Sequence, residues 1–403
     1  MNSMTVIFML NLFTISACNI NIHELVSNGD INKVKELINK CPEKINSTEK
    51  GVSATPLHVA ALYGNTTLIK VFIDNGADVN ALDVHDNKPI HHASRNLHKE
   101  AIEILVENGS DIPPRIIANV IYPLRMTFKI NDRYIPGPDK TGKDKEIIKE
   151  IISYFLDHGV DINYGTGPYN TTSIFLVNSG GYGIDMMRFY RDNGADFKVG
   201  DDHNATLMHH ANGNKELIEF LLNQGLDINA KDYQGRTPLH YEAASVNGDI
   251  ESMKALIDAG ANVNEYDQFS FFTPLNDAIY SNKKLTVEFL LKNGADVNIT
   301  RERFPVLHIA ARQKCISNSN DNIPDIIHLL IEYGADINDV DRTGDTALHE
   351  AAYCGNIDAA LIFIEKGIEI NKRNESGKTA LGVAIEKEKH QIAKIIRKHG
   401  GIE

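Results

Sequence analysis

A glycine returns through this chain about every 33 residues, each time in the same company. DNGADVN (74–80), ENGSDI (107–112), DHGVDIN (157–163), DNGADFK (192–198), NQGLDIN (223–229), DAGANVN (258–264), KNGADVN (292–298), EYGADIN (332–338), EKGIEIN (365–371) and KHGGI (398–402) share one frame. Their glycines, Gly76 through Gly400, are separated by 33, 50, 35, 31, 35, 34, 40, 33 and 33 residues. Ahead of each glycine, positions three, four and seven back are mostly apolar, as in Ile73, Phe72 and Ile69 or Ile331, Leu330 and Ile327. That spacing marks one face of a helix, and the glycine suits the left-handed residue that closes it. Self-similarity at this period restricts the chain to a stack of short units, none able to bury its apolar face alone.

Each unit also carries an opening. TPLHVAALYGN (55–65), TPLHYEAASVNGD (237–249) and TALHEAAYCGN (346–356) place Thr where it can cap a helix, and two of them place Pro at the first helical position. There the missing N–H costs nothing. A second helix starts after Gly-Asn or Gly-Asp and runs to the closing glycine, so the unit reads helix, turn, helix, loop.

Thr-Pro-Leu-His-x-Ala-Ala, with Gly-Ala-Asp-Val-Asn some 20 positions on, resembles the ankyrin repeat. The resemblance runs from about Asn21 to Glu403 in about eleven copies, the first of which lacks the Thr-Pro start and reads as a cap. It implies an all-α solenoid of stacked helix-turn-helix units, with hairpin-like loops projecting from one edge. It also implies a binding protein without cofactor, expected as a monomer, whose partner is another protein. We divide the chain into 1–18, an N-terminal apolar segment; 19–112, repeats one to three; 113–198, degenerate repeats four and five; and 199–403, repeats six to eleven. An exposed loop is expected over 128–145, rich in Pro, Gly and charge, and another over 312–325.

No catalytic or metal constellation stands out. His58, His91, His209, His240, His308 and His349 fall at the family's structural histidine position, where the resemblance implies hydrogen bonding at the first helix. The pairs His91-His92 and His209-His210 show no acid or cysteine at metal spacing. His349-Glu350 begins like H-E-x-x-H, but Tyr353 stands where the second histidine belongs. The rival to a binding protein is an enzyme or toxin with a site in 113–198, where only Tyr, Lys, Arg and Asp occur, without motif spacing.

The loop tips of repeats seven to nine differ from the rest. AKDYQGR (230–236), EYDQFSFF (265–272) and ITRERF (299–304) concentrate Tyr233, Arg236, Tyr266, Phe269, Phe271, Phe272, Arg301, Arg303 and Phe304, while DVHDNK (83–88) and DRTGD (341–345) are polar. Aromatic residues and arginine dominate binding hot spots, so these tips are the expected contact patch. The alternative is that the rings pack on one another to stiffen a long loop.

The net charge of −13 argues against a dominant grip on nucleic acid or an anionic membrane. Two readings of the N-terminus stay open. Thr5 to Ala17 has the length of an export-signal core, and Ile15-Ser16-Ala17-Cys18 resembles a bacterial lipobox, making Cys18 a candidate lipidation site in an envelope lipoprotein. Yet MNSM lacks a basic residue and Asn11 interrupts the apolar run, which suits an intracellular protein, including one delivered to a host cell, whose residues 5–17 cover repeat one. The four cysteines, Cys18, Cys41, Cys315 and Cys354, show no zinc spacing. Loss of Cys18 to a lipid leaves an odd thiol, and offsets within the repeats give no reason to expect a Cys315–Cys354 bridge.

Overall fold

The structure, a computed structural model, describes residues 18–49, 51–121, 142–166, 171–179, 181–245, 250–299, 304–316 and 322–403. It divides into two compact units, Met1–Asp196 and Phe197–Glu403. The segment 5–17, most of the loop expected at 128–145, and Arg301 and Arg303 lie outside the described residues.

In the N-terminal unit, helix pairs follow one another: α1 (Ile22–Ser27) with α2 (Ile31–Lys40), α3 (Pro56–Leu62) with α4 (Thr66–Asp74), and α5 (Pro89–Arg95) with α6 (Lys99–Glu107). Then come α7 (Ile116–Ile121) with α8 (Gly142–Asp157), and α9 (Ser173–Ser179) with α10 (Ile184–Asp192) behind a two-residue antiparallel pair at Gly165–Thr166 and Thr171–Thr172. The C-terminal unit opens with a turn over 206–211 in place of a first helix, followed by α11 (Lys215–Asn223). Its pairs are α12 (Pro238–Ala244) with α13 (Ile250–Asp258), α14 (Pro274–Tyr280) with α15 (Lys284–Lys292), and α16 (Val306–Ile316) with α17 (Ile323–Glu332). The last two are α18 (Ala347–Cys354) with α19 (Ile357–Glu365) and α20 (Ala380–Glu386) with α21 (His390–Lys398). Within each unit first helices pack on first helices and second helices on second, giving the two layers of an all-α repeat solenoid.

The local chemistry matches the sequence reading. Thr55, Thr237 and Thr346 close capping boxes with His58, His240 and His349. The ten closing glycines all hold φ between 80° and 96°, a conformation that costs a side chain about 1 kcal/mol or more. Ala60, Ala93, Ala310 and Ala351 are fully buried, which lets neighbouring first helices approach, while Leu57, Ile69, Phe72, Leu290 and Phe363 fill the layer between.

The closing asparagines have a role the sequence reading missed. Asn264 donates from Nδ2 to Gly294 O at 3.0 Å and accepts from Asp296 N at 2.9 Å. Asn80 does the same with Gly109 and Asp111, Asn163 with Gly194 and Asp196, and Asn371 with Gly400 and Ile402. Each side chain thus satisfies one acceptor and one donor that the helix end of the next repeat leaves open.

Several expectations are corrected. Residues 142–145 belong to α8 rather than to a loop, and 312–316 extend α16 to 11 residues where α14 has 7. That added turn carries Cys315 to Cys354 at the end of α18, and the two form a disulfide with a Cα separation of 5.2 Å. Cys18 is bonded to Cys41, so no cysteine is free. One sulfur cannot hold both a lipid and Cys41: in this structure Cys18 is a bridge residue. α1 begins at Ile22, and no described helix is long and apolar enough to cross a membrane.

Candidate functional site

At least four of the described loop tips are built on one acid, and the last on an amide, Asn374, used in the same way. Asp232 Oδ1 accepts from Gln234 N and Arg236 N, both at 2.8 Å, and Asp83, Asp201 and Asp341 accept likewise from the residues two and four further on. The sequence signal is an Asp five residues ahead of the capping position. Two residues ahead of that position the backbone turns left-handed: at Gly235, Gly344 and Gly377, or at Ser53, Asp86 and Asn204. In repeat eight the residue there is Phe271, with φ 54°, although a bulky side chain is the costliest choice for this region.

The second oxygen of the tip acid faces the first helix. His92 Nε2 donates to Asp83 Oδ2 at 2.9 Å, His210 Nε2 to Asp201 Oδ2 at 2.9 Å, and the Tyr241 hydroxyl to Asp232 Oδ2 at 3.0 Å. The donor lies nine residues after the acid each time, a spacing that the sequence reading of these histidine pairs for metal ligands did not consider. Burial alone would raise the Asp83 carboxyl, but hydrogen bonds from His92, Asn87 and His85 hold it well below the usual carboxylate range. The structural histidines behave as the resemblance implies: His58 Nδ1 accepts from Thr55 N at 3.1 Å, its Nε2 donates to Asn87 O at 3.0 Å, and burial lowers it to about 4.

Two repeats break the acid–donor pattern with a second acid. Asp277 follows Asp267 in repeat eight; burial, and then the Asp267 charge, raise it to about 7 against the pull of Arg236, and its Oδ2 is buried without a partner. Glu350 follows Asp341 in repeat ten; burial raises it to about 7, Arg312 pulls it down, and Asp341 and Asp345 push it further up. The carboxylates of Asp341, Asp345 and Glu350 lie within 4.8 Å of one another.

The predicted patch separates into two groups. Tyr233 and Phe269 are 69% and 73% exposed and sit one residue either side of the bond that joins their tips, Gln268 N to Gln234 O at 2.7 Å. The tips touch so closely at Gly235 that a Cβ there would meet Gln268 N at 2.8 Å. Tyr266 and Phe271 are half-buried, with Lys231 Nζ 5.7 Å from the centre of the Tyr266 ring. Arg236 is engaged within the chain, 3.2 Å from Asp232 Oδ2 and 4.4 Å over the Tyr241 ring. Phe304 meets Phe272 edge to face at 6.2 Å, and Phe272 also meets Tyr280. Part of the ring cluster therefore packs on itself and part faces outward.

In the described part of 113–198, the Tyr190 hydroxyl donates to Ser173 Oγ at 3.1 Å, and burial pushes that phenol well above its ordinary value. Both groups are buried, and the bond joins the two helices of repeat five.

The family model described as "Ankyrin repeats (3 copies)" matches residues 22–115, 173–267, 241–318 and 307–403. Similar curated proteins include the ankyrin repeat protein nuc-2 of Neurospora crassa, 28% identical over 52% of this chain and 22% of that protein. The transient receptor potential channel pyrexia of Drosophila melanogaster is 33% identical over 36% of this chain and 14% of its own length. The L-asparaginase of Dirofilaria immitis is 30% identical over 36% of this chain and 23% of its own. The matched stretch thus spans a quarter or less of each of these three relatives.

Proposed function

Because the chain belongs to the ankyrin-repeat family, a family of protein-interaction modules, we propose that it is a non-enzymatic scaffold or adaptor that holds a protein partner on the tips of repeats seven and eight. The observation that carries this reading is the exposure of Tyr233 and Phe269 on adjoining tips, held in place by the Gln268–Gln234 bond. Large rings left in water at a rigid edge gain most by burial against a partner. Phe271 supports it: a phenylalanine is kept in left-handed backbone where the tips of repeats seven and ten use Gly235 and Gly344, at a local cost. The test is affinity capture from the native compartment with the intact chain and with Tyr233→Ala/Phe269→Ala. Loss of a partner at unchanged helical circular dichroism is expected; equal capture by both proteins overturns the reading.

We further infer that the protein works in an oxidising compartment, as an exported product. Two disulfides and no free thiol support this, because reducing cytosol keeps such bridges open. Bridged to Cys41, Cys18 favours a secreted form over a lipid-anchored one. Mass spectrometry of native protein alkylated before and after reduction reads both points: four cysteines protected before reduction are expected, and an acylated Cys18 overturns the secreted form.

A further inference from the structure

Along α16 in the C-terminal unit runs a cleft of about 330 Å³. One wall is aromatic, with Phe272 and Tyr280 from repeat eight and Phe304 at the entry to repeat nine. The other is acidic, with Asp341 from the tip of repeat ten and Glu350 from α18. Ile309 lies on the α16 wall, at the position where other repeats carry His92, Tyr241 or Glu350, and the Cys315–Cys354 disulfide fastens α16 to α18. The cleft is therefore formed by stapled elements rather than by a free loop.

Apart from the Tyr280 hydroxyl and the half-exposed Arg312, which lines the cleft beside Glu350, the polar groups here are Asp341, Glu350 and His308. Asp341 spends Oδ1 on Thr343 N, Thr343 Oγ1 and Asp345 N, and among the described residues no donor meets its Oδ2. In repeats three, six and seven a His or Tyr donor fills that place; here it is Glu350, a second acid, with Arg312 beside it at 3.4 Å. His308 adds a third acceptor. It is 4% exposed and its Nε2 donates to Asp345 O at 2.7 Å, which leaves Nδ1 with a lone pair and no partner. The cause is local: Pro305 replaces the capping Thr, so neither a backbone N–H nor a hydroxyl reaches the ring as each does at His58.

We propose that this cleft is an anchoring pocket for an arginine side chain of the partner protein. This rests on the reading of the C-terminal unit as the partner-binding part of the chain, and adds the chemistry of what is bound. A guanidinium is planar, charged and carries five donors and no acceptor. It matches the carboxyls of Asp341 and Glu350 and stacks on Phe272 or Tyr280, Phe304 already having the chain's own Arg342 at 5.7 Å over its ring, while the aliphatic stem covers Ile309. A hydrated divalent cation has no use for the aromatic wall, and a carboxylate or phosphate would meet two acids.

The test uses the full-length protein with both disulfides formed. Saturation-transfer NMR compares three probes, acetyl-Gly-Arg-Gly-amide and its citrulline and lysine counterparts, the citrulline being neutral and nearly isosteric. The arginine probe is expected to bind about tenfold more tightly than citrulline, the worth of one charge-assisted hydrogen bond. Glu350→Gln and Asp341→Asn should each erase that preference, and Gln or Asn keeps the size of the side chain and one acceptor oxygen. Equal binding of the citrulline or lysine probe, indifference to both variants, or displacement by equimolar calcium overturns the pocket. Tyr233→Ala/Phe269→Ala should lower partner capture without changing probe binding, so the pocket and the exposed-tip reading fail separately.

Discussion

Replacing Glu350 by Gln should stabilise this protein, and only at neutral and alkaline pH. Its side chain is 11% exposed, and burial with the Asp341 and Asp345 charges lifts the carboxyl from 4.5 to about 7 despite Arg312 at 3.4 Å. Between those two values the folded chain keeps a proton that the unfolded chain has released, so this group's contribution falls as pH rises from 4.5 to 7 and is level above. Linkage makes the ionised form about 3 kcal/mol less favourable in the folded than in the unfolded chain. Gln cannot ionise. The stability gained by the variant should be about 2.5 kcal/mol larger at pH 8 than at pH 5, because most of the ionisation occurs in that window. Buried histidines such as His58 titrate alike in both proteins and cancel from the difference. Urea unfolding of the oxidised chain, followed by circular dichroism at both pH values, reads it directly. An equal gain at both, or a larger one at pH 5, would refute the account of Glu350 as an acid pressed against acids.

Pro305→Thr should restore to His308 the N–H and hydroxyl that every Thr-capped histidine receives, raising stability by about 1 kcal/mol in the same assay. Cys354→Ser opens the bridge that links α16 to α18 across 39 residues and should cost about 4 kcal/mol on the loop-entropy account, with one new thiol appearing in a thiol titration of the folded protein. Asn264→Ala removes the two hydrogen bonds to Gly294 and Asp296 and should cost about 1 kcal/mol, with faster amide exchange at Asp296. Burial lowers His58 and His240 from 6.5 to about 4, so the stability their neutral forms provide should be lost as pH falls from 6.5 towards 4. His58→Gln should show a shallower decline.

What the sequence alone determined is whatever repeats. Period, capping threonines and closing glycines each encode a local backbone event, and a local event copied ten times can be read without knowing what lies across from it. The tip acids belong to this class too; the five-residue spacing from Asp232 to Thr237 or Asp341 to Thr346 was there to be seen.

Tertiary structure decided what depends on two repeats meeting. Whether Cys315 reaches Cys354 turned on one extra helical turn in α16, and the turn over 206–211 in repeat six shows that a Thr-x-x-His signature alone does not make a helix. The sequence placed these rings on neighbouring tips but not which of them faced water: Phe269 projects while Phe272 and Phe304 close on each other. The acidic wall of the cleft was missed because Glu350 was read against its chain neighbours, as part of a failed zinc motif. Its behaviour is set instead by Asp341 and by Arg312 on another helix. Through-space charge and burial are properties of the stack, and a one-dimensional pattern carries them only where the same contact recurs in every repeat.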